Sequence, residues 1–534
     1  MHGLSSNCGK GCDRIRSRAV RSGGPLGWAR GASVPRDYCV RVSEQLTVIV
    51  LAAGGGTRMK SKTPKVLHRI GGRSMIGHVL AAVGSLEPTR VVTVVGHQRE
   101  LVAPHVGELR PDAVLAVQEE QLGTGHAVRV ALEALDAPPS EGTVLIAYGD
   151  TPLLAGDTLR AFAESHRSAG AAVSILSGIV ADPHGYGRIV RDDAGAVQAI
   201  VEEKDATDEQ RAITEINSGI LAFEAAFLAD AIGRIGNDNA KGEYYLTDAI
   251  ALARRDDLLV AAHAVEDALQ TEGANDRAQL AELGRELNRR IVTRWMREGV
   301  TVMDPATTWI DADVVLAQDV TILPGTQLLG ATVVGEDSVI GPDTTLEDCE
   351  VGAGARVVRA HAQLAVVGDG ATVGPFAYLR PGTALGAKGK IGTFVETKNA
   401  AIGEGAKVPH LSYVGDAEIG EGSNIGAGTI FANYDGVDKH RTKVGRHAKT
   451  GSNNTFVAPI EIGDGASTGG GTVVRRDVPP GALAVSTSPQ RNIERWVLLR
   501  RTGTAQADAA AAALGEPSEN GRGVGDDPAE KAES

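Results

Sequence analysis

The apolar positions of this chain change their period twice. From residue 46 to about 265, short apolar runs alternate with amphipathic ones. The run LTVIV (46–50) is continuous and β-branched, the pattern of a strand buried on both faces. The stretches 89–97, 142–150 and 170–180 share that character, and helical segments such as 125–135 lie between them. Strands alternating with helices predict an α/β domain, Rossmann-like, with a mostly parallel sheet covered on both faces. Near residue 280 the period becomes helical. Leu280, Leu283, Leu287, Ile291 and Trp295 recur every three or four residues, with Arg285, Arg289, Arg290 and Arg294 between them. That predicts one amphipathic connecting helix. Beyond it the period is six: Val367, Val373, Leu379, Leu385, Ile391; then Ile402, Val408, Val414; then Val444, Thr450, Phe456, Ile462, Thr468, Val474. Glycine often follows the aliphatic residue, and a small residue such as Ala371 or Ala406 falls four after it. This is the hexapeptide signature of a parallel β-helix. Each hexad is one short strand and its corner, three hexads close a coil, and the aliphatic residues stack inside. Such coils wind left-handed, against the usual crossover rule. Glycine is expected where the corner needs an unusual φ. The pattern breaks at 431–443, which predicts a protruding loop of the kind that carries function.

Composition adjusts this picture at the ends. A chain of 534 residues has length for two or more domains, and 67 glycines with only 4% aromatics suit many tight corners. The formal charge of −13 argues against a general nucleic-acid binder, and no apolar stretch is long enough to cross a bilayer. Four cysteines, Cys8, Cys12, Cys39 and Cys349, make no disulfide framework, so a reducing, cytoplasmic setting is expected. Residues 1–45 are basic and are read as a disordered extension; Cys8 and Cys12 lack a second pair nearby that would complete a metal site. Residues 497–534 are rich in Ala, Gly, Asp and Glu and are read as a disordered acidic tail.

The chemistry begins at LAAGGGTRMKSKTPKVL (51–67). Gly54, Gly55 and Gly56 leave bare backbone after a strand, and Arg58 and Lys65 add two cations. That is a phosphate cradle. It carries neither the G-K-[ST] of an NTPase loop nor a G-x-G-x-x-G. Asp150 ends another strand. Ligands in such sheets sit beyond the carboxyl ends of the strands, so the loop and Asp150 are expected to face one crevice. Alone, a glycine turn and an Asp after a strand also read as an ordinary turn and a helix cap.

The string Leu51-x-x-Gly54-x-Gly56-Thr57-Arg58-x5-Pro64-Lys65 resembles the nucleotide loop of sugar-phosphate nucleotidyltransferases. With the helix and the hexads, residues 46–496 resemble the bifunctional bacterial N-acetylglucosamine-1-phosphate uridylyltransferase/glucosamine-1-phosphate N-acetyltransferase family. Further strings carry that resemblance: QEEQLGTGHA (118–127), YGDTPLL (148–154), GYGRIV (185–190), VEEKDATDEQR (201–211), EINSGI (215–220), KGEYYLTD (241–248), VPHLSYVGDAEIG (408–420) and NIGAGTIFANYDG (424–436). The resemblance implies a uridylyltransferase domain over 46–275, a helical linker over 276–300 and a left-handed β-helix acetyltransferase domain over 301–496. It implies acetylation of glucosamine-1-phosphate by acetyl-coenzyme A. Transfer of UMP from UTP to the N-acetylated product follows, with pyrophosphate released and UDP-N-acetylglucosamine supplied to cell-wall synthesis.

The residue roles follow from the same resemblance. Arg58 and Lys65 grip the triphosphate, and Asp150 and Asn275 hold Mg2+. Leu51, Gly54, Gln118, Gly123, Thr124 and Tyr148 belong to the nucleotide site, and Gly187, Glu202 and Asn217 to the sugar. In the acetyltransferase, His410 is the base, which a largely protonated amine needs, with Glu396 to orient it. Arg380, Lys398, Tyr413 and Asn424 hold the sugar phosphate, while Ala427, Asn433, Tyr434, Ser452, Gly470 and also Lys439 match the acetyl-coenzyme A site. Sites between subunits imply a homotrimer acting on small molecules, with neither nucleic acid nor membrane as partner. Gly55 stands where many relatives have Lys, and Thr487 where some have Arg. Two other readings stay open on the residues: a transferase whose β-helix only assembles or regulates, and a sugar-nucleotide-binding scaffold without catalysis.

Overall fold

The computed structural model describes residues 45–239, 242–486 and 490–517. The basic extension with Cys8, Cys12 and Cys39, Lys241 of the KGEYYLTD string, Thr487, and the chain after 517 lie outside the described residues. Leu46–Leu51 is the central strand of the first sheet. The order across that sheet is Val260–Val265, Val173–Ile179, Glu215–Glu224, Thr143–Tyr148, Leu46–Leu51, Arg90–Val95, Val114–Val117. Along this path only Glu215–Glu224 runs against its neighbours. Successive side chains of the central strand feed opposite faces, as the pleat requires. Ile49 packs with Val128 and Ala131 of the Thr124–Glu133 helix. Val48 and Val50 pack with Ile76 and Val79 of Met75–Gly84 and with Phe162 of Gly156–Ala169. The sheet's strands therefore read as continuous apolar runs. Register sets Leu51 beside Tyr148, which brings the ends of two strands to one edge. Two strands, Arg188–Arg191 and Val197–Val201, extend Glu215–Glu224 into an antiparallel lobe.

The helix Arg277–Arg297 follows, capped by Asp276, whose carboxylate accepts from the N–H groups of Ala278 and Gln279 at 2.9 Å. Its Ile291, Val292 and Trp295 belong to the same core as Ile310 and Ile322, so the helix plugs the end of the β-helix. Asn288 is buried in that junction; its amide donates to Thr308 O at 2.8 Å and accepts from Ile310 N at 3.0 Å.

From Thr301–Val302 to Leu483–Ala484 the strands are short and parallel. The chain of partners Ile322, Ile340, Val357, Val373, Ile391, Val408 advances 16 to 18 residues per coil, three hexads. All six are buried, and each inward aliphatic side chain is worth about 1.5–3 kcal/mol. Between Ile419 and its partner Val444 the advance is 25 residues, the insertion that the broken hexads predict.

Two expectations need correction. Gly341 and Gly374 sit at positive φ, as expected, but most glycines after the inward aliphatic residues do not. They are glycine because the next coil lies against them: a Cβ on Gly352, Gly368, Gly386 or Gly403 would stand 2.6–2.7 Å from a backbone nitrogen of the following coil. The stretch read as an unstructured tail carries helices at Trp496–Arg500 and Ala505–Leu514, the second capped by Thr504. An alanine run behind an N-cap favours helix whatever its charge. Among the described residues, no helix is long and apolar enough to cross a membrane.

Candidate active sites

The glycine-rich loop leaves Leu51 and turns back through a short 3-10 segment, Thr57–Met59, anchored by the buried Met59. Gly56 is the position the turn cannot give up. Its φ is +54°, and a Cβ there would stand 2.5 Å from Lys65 Cβ. A side chain at Gly55 would meet nothing nearer than His97 at 3.9 Å, so the backbone does not impose that glycine. Arg277, first in the connecting helix, donates to Met59 O at 3.2 Å and ties the loop to the helix start.

Beyond the strand ends lies a cavity of about 420 Å³. Ten of the residues matched above line it: Leu51, Gly54, Arg58, Lys65, Gln118, Gly123, Thr124, Tyr148, Asp150 and Asn275. Its charged centre is compact. The Lys65 ammonium pairs with the Asp150 carboxylate and donates to Asn275 Oδ1 at 2.8 Å; Arg58 donates to the same oxygen at 2.9 Å. Two oxygen donors of hard character thus already converge on one cation. At the other end Gln118 donates to Gly123 O at 3.1 Å, and Thr124 Oγ1 accepts from Leu246 N at 3.1 Å. Gly123, at φ +102°, lies so close to Tyr244 that a Cβ would stand 2.6 Å from its carbonyl oxygen. Tyr148 is the partition of the site. Burial, with Asp150 and Glu202 nearby, pushes its phenol up to about 12, so it stays neutral.

Gly187, Glu202 and Asn217 do not line that cavity. They gather in the antiparallel lobe beyond Tyr148, whose ring would meet a Cβ on Gly219 at 2.7 Å. Asn217 N donates to Gly187 O at 2.8 Å, and a Cβ on Gly187 would stand 3.2 Å from Glu202 Oε1. Gln121, Glu243 and Tyr245 also line the cavity and were not singled out from the sequence. All three fall inside strings that carry the resemblance, which was the only signal for them.

The second cluster stands on the β-helix. Strand pairing stacks Tyr378, Glu396, Tyr413 and Ile430 in consecutive coils. His410 ends the strand Lys407–His410, three residues before Tyr413, with its side chain exposed. Glu396 does not orient it: its carboxylate is held by Arg380 at 2.9 Å. The inserted loop folds back over this surface and is internally stiff. Asp435 accepts from Val437 N, Asp438 N and His440 Nε2 at 2.7–2.8 Å, and the His440 bond holds its carboxyl far below the usual range. The loop delivers Lys439 to Lys398. Contact with that second ammonium, and Arg380 beyond it, lowers the Lys398 pKa. Lys439 therefore stands beside two of the cations matched to the sugar phosphate. Asp416 balances the cluster. Burial raises its pKa, but the amides of Asn399 and Asn433 and the two lysines outweigh this and keep it ionised. Asn433 and the Tyr413 hydroxyl both lie against Gly415. Ala427, Ser452 and Gly470 stack at one corner of successive coils, where Asn453 N donates to Ala427 O at 2.7 Å and Gly471 N to Ser452 O at 2.8 Å. Asn424 is exposed between Lys407 and Lys449 on neighbouring coils, and Tyr434 is exposed on the inserted loop.

Residues 48–214 match the MobA-like NTP transferase domain. Over nearly the whole described chain the similarity is to "Bifunctional protein GlmU" of several bacteria. The Pseudarthrobacter chlorophenolicus protein is 57% identical over 472 residues, 88% of this chain and 96% of its own length. That of Kineococcus radiotolerans is 59% identical over 469 residues, 88% and 95% of the two chains. The chain belongs to the bifunctional GlmU family. The Streptomyces avermitilis member, 58% identical over 471 residues, is covered to 98% of its length, so both clusters lie within the shared span. The GlmU likeness and the NTP transferase domain together leave little to the reading of the chain as a non-catalytic scaffold.

Proposed function

We propose that the two clusters carry the two halves of UDP-N-acetylglucosamine synthesis. On the β-helix, acetyl-coenzyme A acetylates glucosamine-1-phosphate; in the α/β domain, UTP and the N-acetylated product give UDP-N-acetylglucosamine and pyrophosphate. One observation carries the reading: a single chain holds two separate anion-seeking clusters, each assembled from elements far apart in sequence.

In the α/β domain, a sugar-phosphate oxygen attacks the α-phosphorus of UTP in line, and the bond to the β-phosphate oxygen breaks. No covalent catalyst is required; charge must be neutralised and two anions brought together. Arg58 and Lys65 supply that charge, and Gln118, Gly123 and Thr124 hold the uracil end. Asp150 and Asn275, whose oxygens already meet around the Lys65 ammonium, fit a magnesium ion. When bound, that ion neutralises phosphate charge.

On the β-helix, the glucosamine nitrogen attacks the thioester carbonyl, the carbon–sulfur bond breaks, and coenzyme A leaves. His410 accepts the amine proton. Arg380, Lys398 and Lys439 take the phosphate, and the Ala427–Ser452–Gly470 corner takes the coenzyme. A homotrimer suits this site. Phe376 and Phe394 stack at 5.4 Å between ring centroids, and with Leu411 they are more than half exposed beside His410. All three have positive φ, strain tolerated where another surface over-determines the corner. Small charged substrates and a four-cysteine chain suit a cytoplasmic enzyme. The test is a coupled assay with glucosamine-1-phosphate, acetyl-coenzyme A, UTP and magnesium. UDP-N-acetylglucosamine with pyrophosphate is expected; N-acetylglucosamine-1-phosphate alone, or no product, overturns the bifunctional reading.

A further inference from the structure

The largest fully buried side chain among the described residues is an arginine. Arg188 sits under the antiparallel lobe with 1% of its surface exposed. Its Nη2 donates to Glu203 Oε2 at 2.5 Å and to Arg211 O at 3.4 Å, and its Nη1 donates to Tyr186 O. Its Nε is buried without a partner. A buried charge with an unmet donor is costly, and replacing such a pair by apolar side chains is often neutral or stabilising. Stability is therefore a poor account of why the lobe is built around it.

Position is a better one. Two of the three groups the guanidinium touches adjoin a residue of the sugar site. Tyr186 precedes Gly187, and Glu203 follows Glu202. In the sheet Arg188 pairs with Val201, the residue before Glu202, and with Ile216, the residue before Asn217. Arg188 thus sits where the segments bearing Gly187, Glu202 and Asn217 meet: its guanidinium holds the neighbours of the first two, and its backbone pairs with the strand of the third. It lies on the buried side and does not line the nucleotide cavity. We propose that Arg188 is a positioning residue for uridylyl transfer: through Glu203 and Tyr186 O it fixes the spacing of Gly187 and Glu202 beside Asn217, and so sets affinity for the acetylated sugar phosphate but not for UTP. This rests on the assignment of that lobe to the sugar.

The test is steady-state uridylyl transfer by the full chain with UTP and N-acetylglucosamine-1-phosphate, comparing wild type with Arg188→Met, Arg188→Lys, Glu203→Gln and the Arg188→Met/Glu203→Gln pair. Arg188→Met should raise KM for the sugar phosphate at least about 10-fold while KM for UTP moves less than about 3-fold. Lysine should restore part of the loss, because one ammonium reaches some of the partners of a planar fork but not all. The double variant should be no worse than Arg188→Met, since the two groups act as one unit. Acetyl transfer is the internal control and should not change. If Arg188→Met does not fold, the same KM split in Arg188→Lys and Glu203→Gln carries the test. KM values for UTP and sugar phosphate that rise together, or a lower melting temperature with both KM values unchanged, would overturn the proposal. A wild-type chain that accepts glucose-1-phosphate, offered in a parallel assay, but not N-acetylglucosamine-1-phosphate would instead overturn the proposed substrate, and with it this inference.

Discussion

The two clusters solve the same problem, holding a phosphate, on opposite kinds of scaffold. In the α/β domain the Lys65 ammonium is enclosed, while Arg58 stands exposed beside it. Lys65 and Asp150 are mostly buried against each other, and the cavity is closed by strand ends, the glycine loop and the start of the connecting helix. On the β-helix the cations stand on an open face, where Arg380 and Glu396 keep more than a third of their surface exposed. An α/β sheet makes a crevice by itself, where its strands end. A solenoid makes only a ladder of positions, so its site depends on what is added: the inserted loop that carries Lys439 and, in the trimer proposed above, a second surface over the row Phe376, Phe394, Leu411. The first cluster is lined by elements of one chain; completion of the second by another copy belongs to the trimer we propose.

The sharpest way to break this contrast is to disable one site and look for an effect in the other. His410→Ala should cut acetyl transfer by about 10²–10⁴-fold, the usual worth of a positioned base, and leave uridylyl transfer unchanged. The deficit should shrink as pH rises and more of the substrate amine is already neutral; rate profiles at saturating acetyl-coenzyme A read this out, and a pH-independent deficit would mark His410 as structural. Asp150→Asn should lower uridylyl transfer by about 10²–10³-fold, in the range of one lost electrostatic stabiliser, with acetyl transfer near normal across a magnesium titration.

A smaller effect sharpens the difference in exposure. Lys398 has a lowered pKa because Lys439 stands beside it. Below that pKa it is a cation and holds phosphate; above it the charge is gone. KM for glucosamine-1-phosphate should therefore begin to rise at lower alkaline pH than an ordinary lysine would allow, by about 10-fold once the charge-assisted bond is lost. In Lys439→Ala the rise should move to higher pH, because the like charge is removed. The smallest effect expected is none: deleting residues 1–43 should change neither activity, since every assigned residue lies beyond them. A loss of either rate in the truncated protein would place part of a site there.

What could be read in the sequence follows from what each feature depends on. Val367, Val373 and Leu379 announce the β-helix because each hexad repeats the same inward position. Asp150 and the 54–56 glycines announce the first crevice because strand ends and bare loops are local signals. Features that depend on the coil above or below were not legible. Gly352 was expected for its φ and is needed for the approach of Asp369 N. Glu396 was expected beside His410 and is taken by Arg380, 16 residues earlier on the neighbouring coil. That Lys439 stands beside Lys398 depends on the fold of the inserted loop, which the Asp435–His440 bond braces. The helix Ala505–Leu514 is legible in Thr504 and the alanines that follow it, whatever the acidic composition around them.

The central claim, two independent chemistries on one chain joined only by a diffusing intermediate, is tested most directly by complementation. Asp150→Asn and His410→Ala proteins are prepared separately, then mixed with glucosamine-1-phosphate, acetyl-coenzyme A, UTP and magnesium, and UDP-N-acetylglucosamine is followed over time. Each variant alone should give almost none. The mixture should form it after a lag in which N-acetylglucosamine-1-phosphate, released by Asp150→Asn, reaches the intact uridylyl site of His410→Ala. A mixture as inactive as its parts, while each variant keeps its other activity, would contradict the free passage of the intermediate; a variant that loses both activities would contradict the separation of the sites.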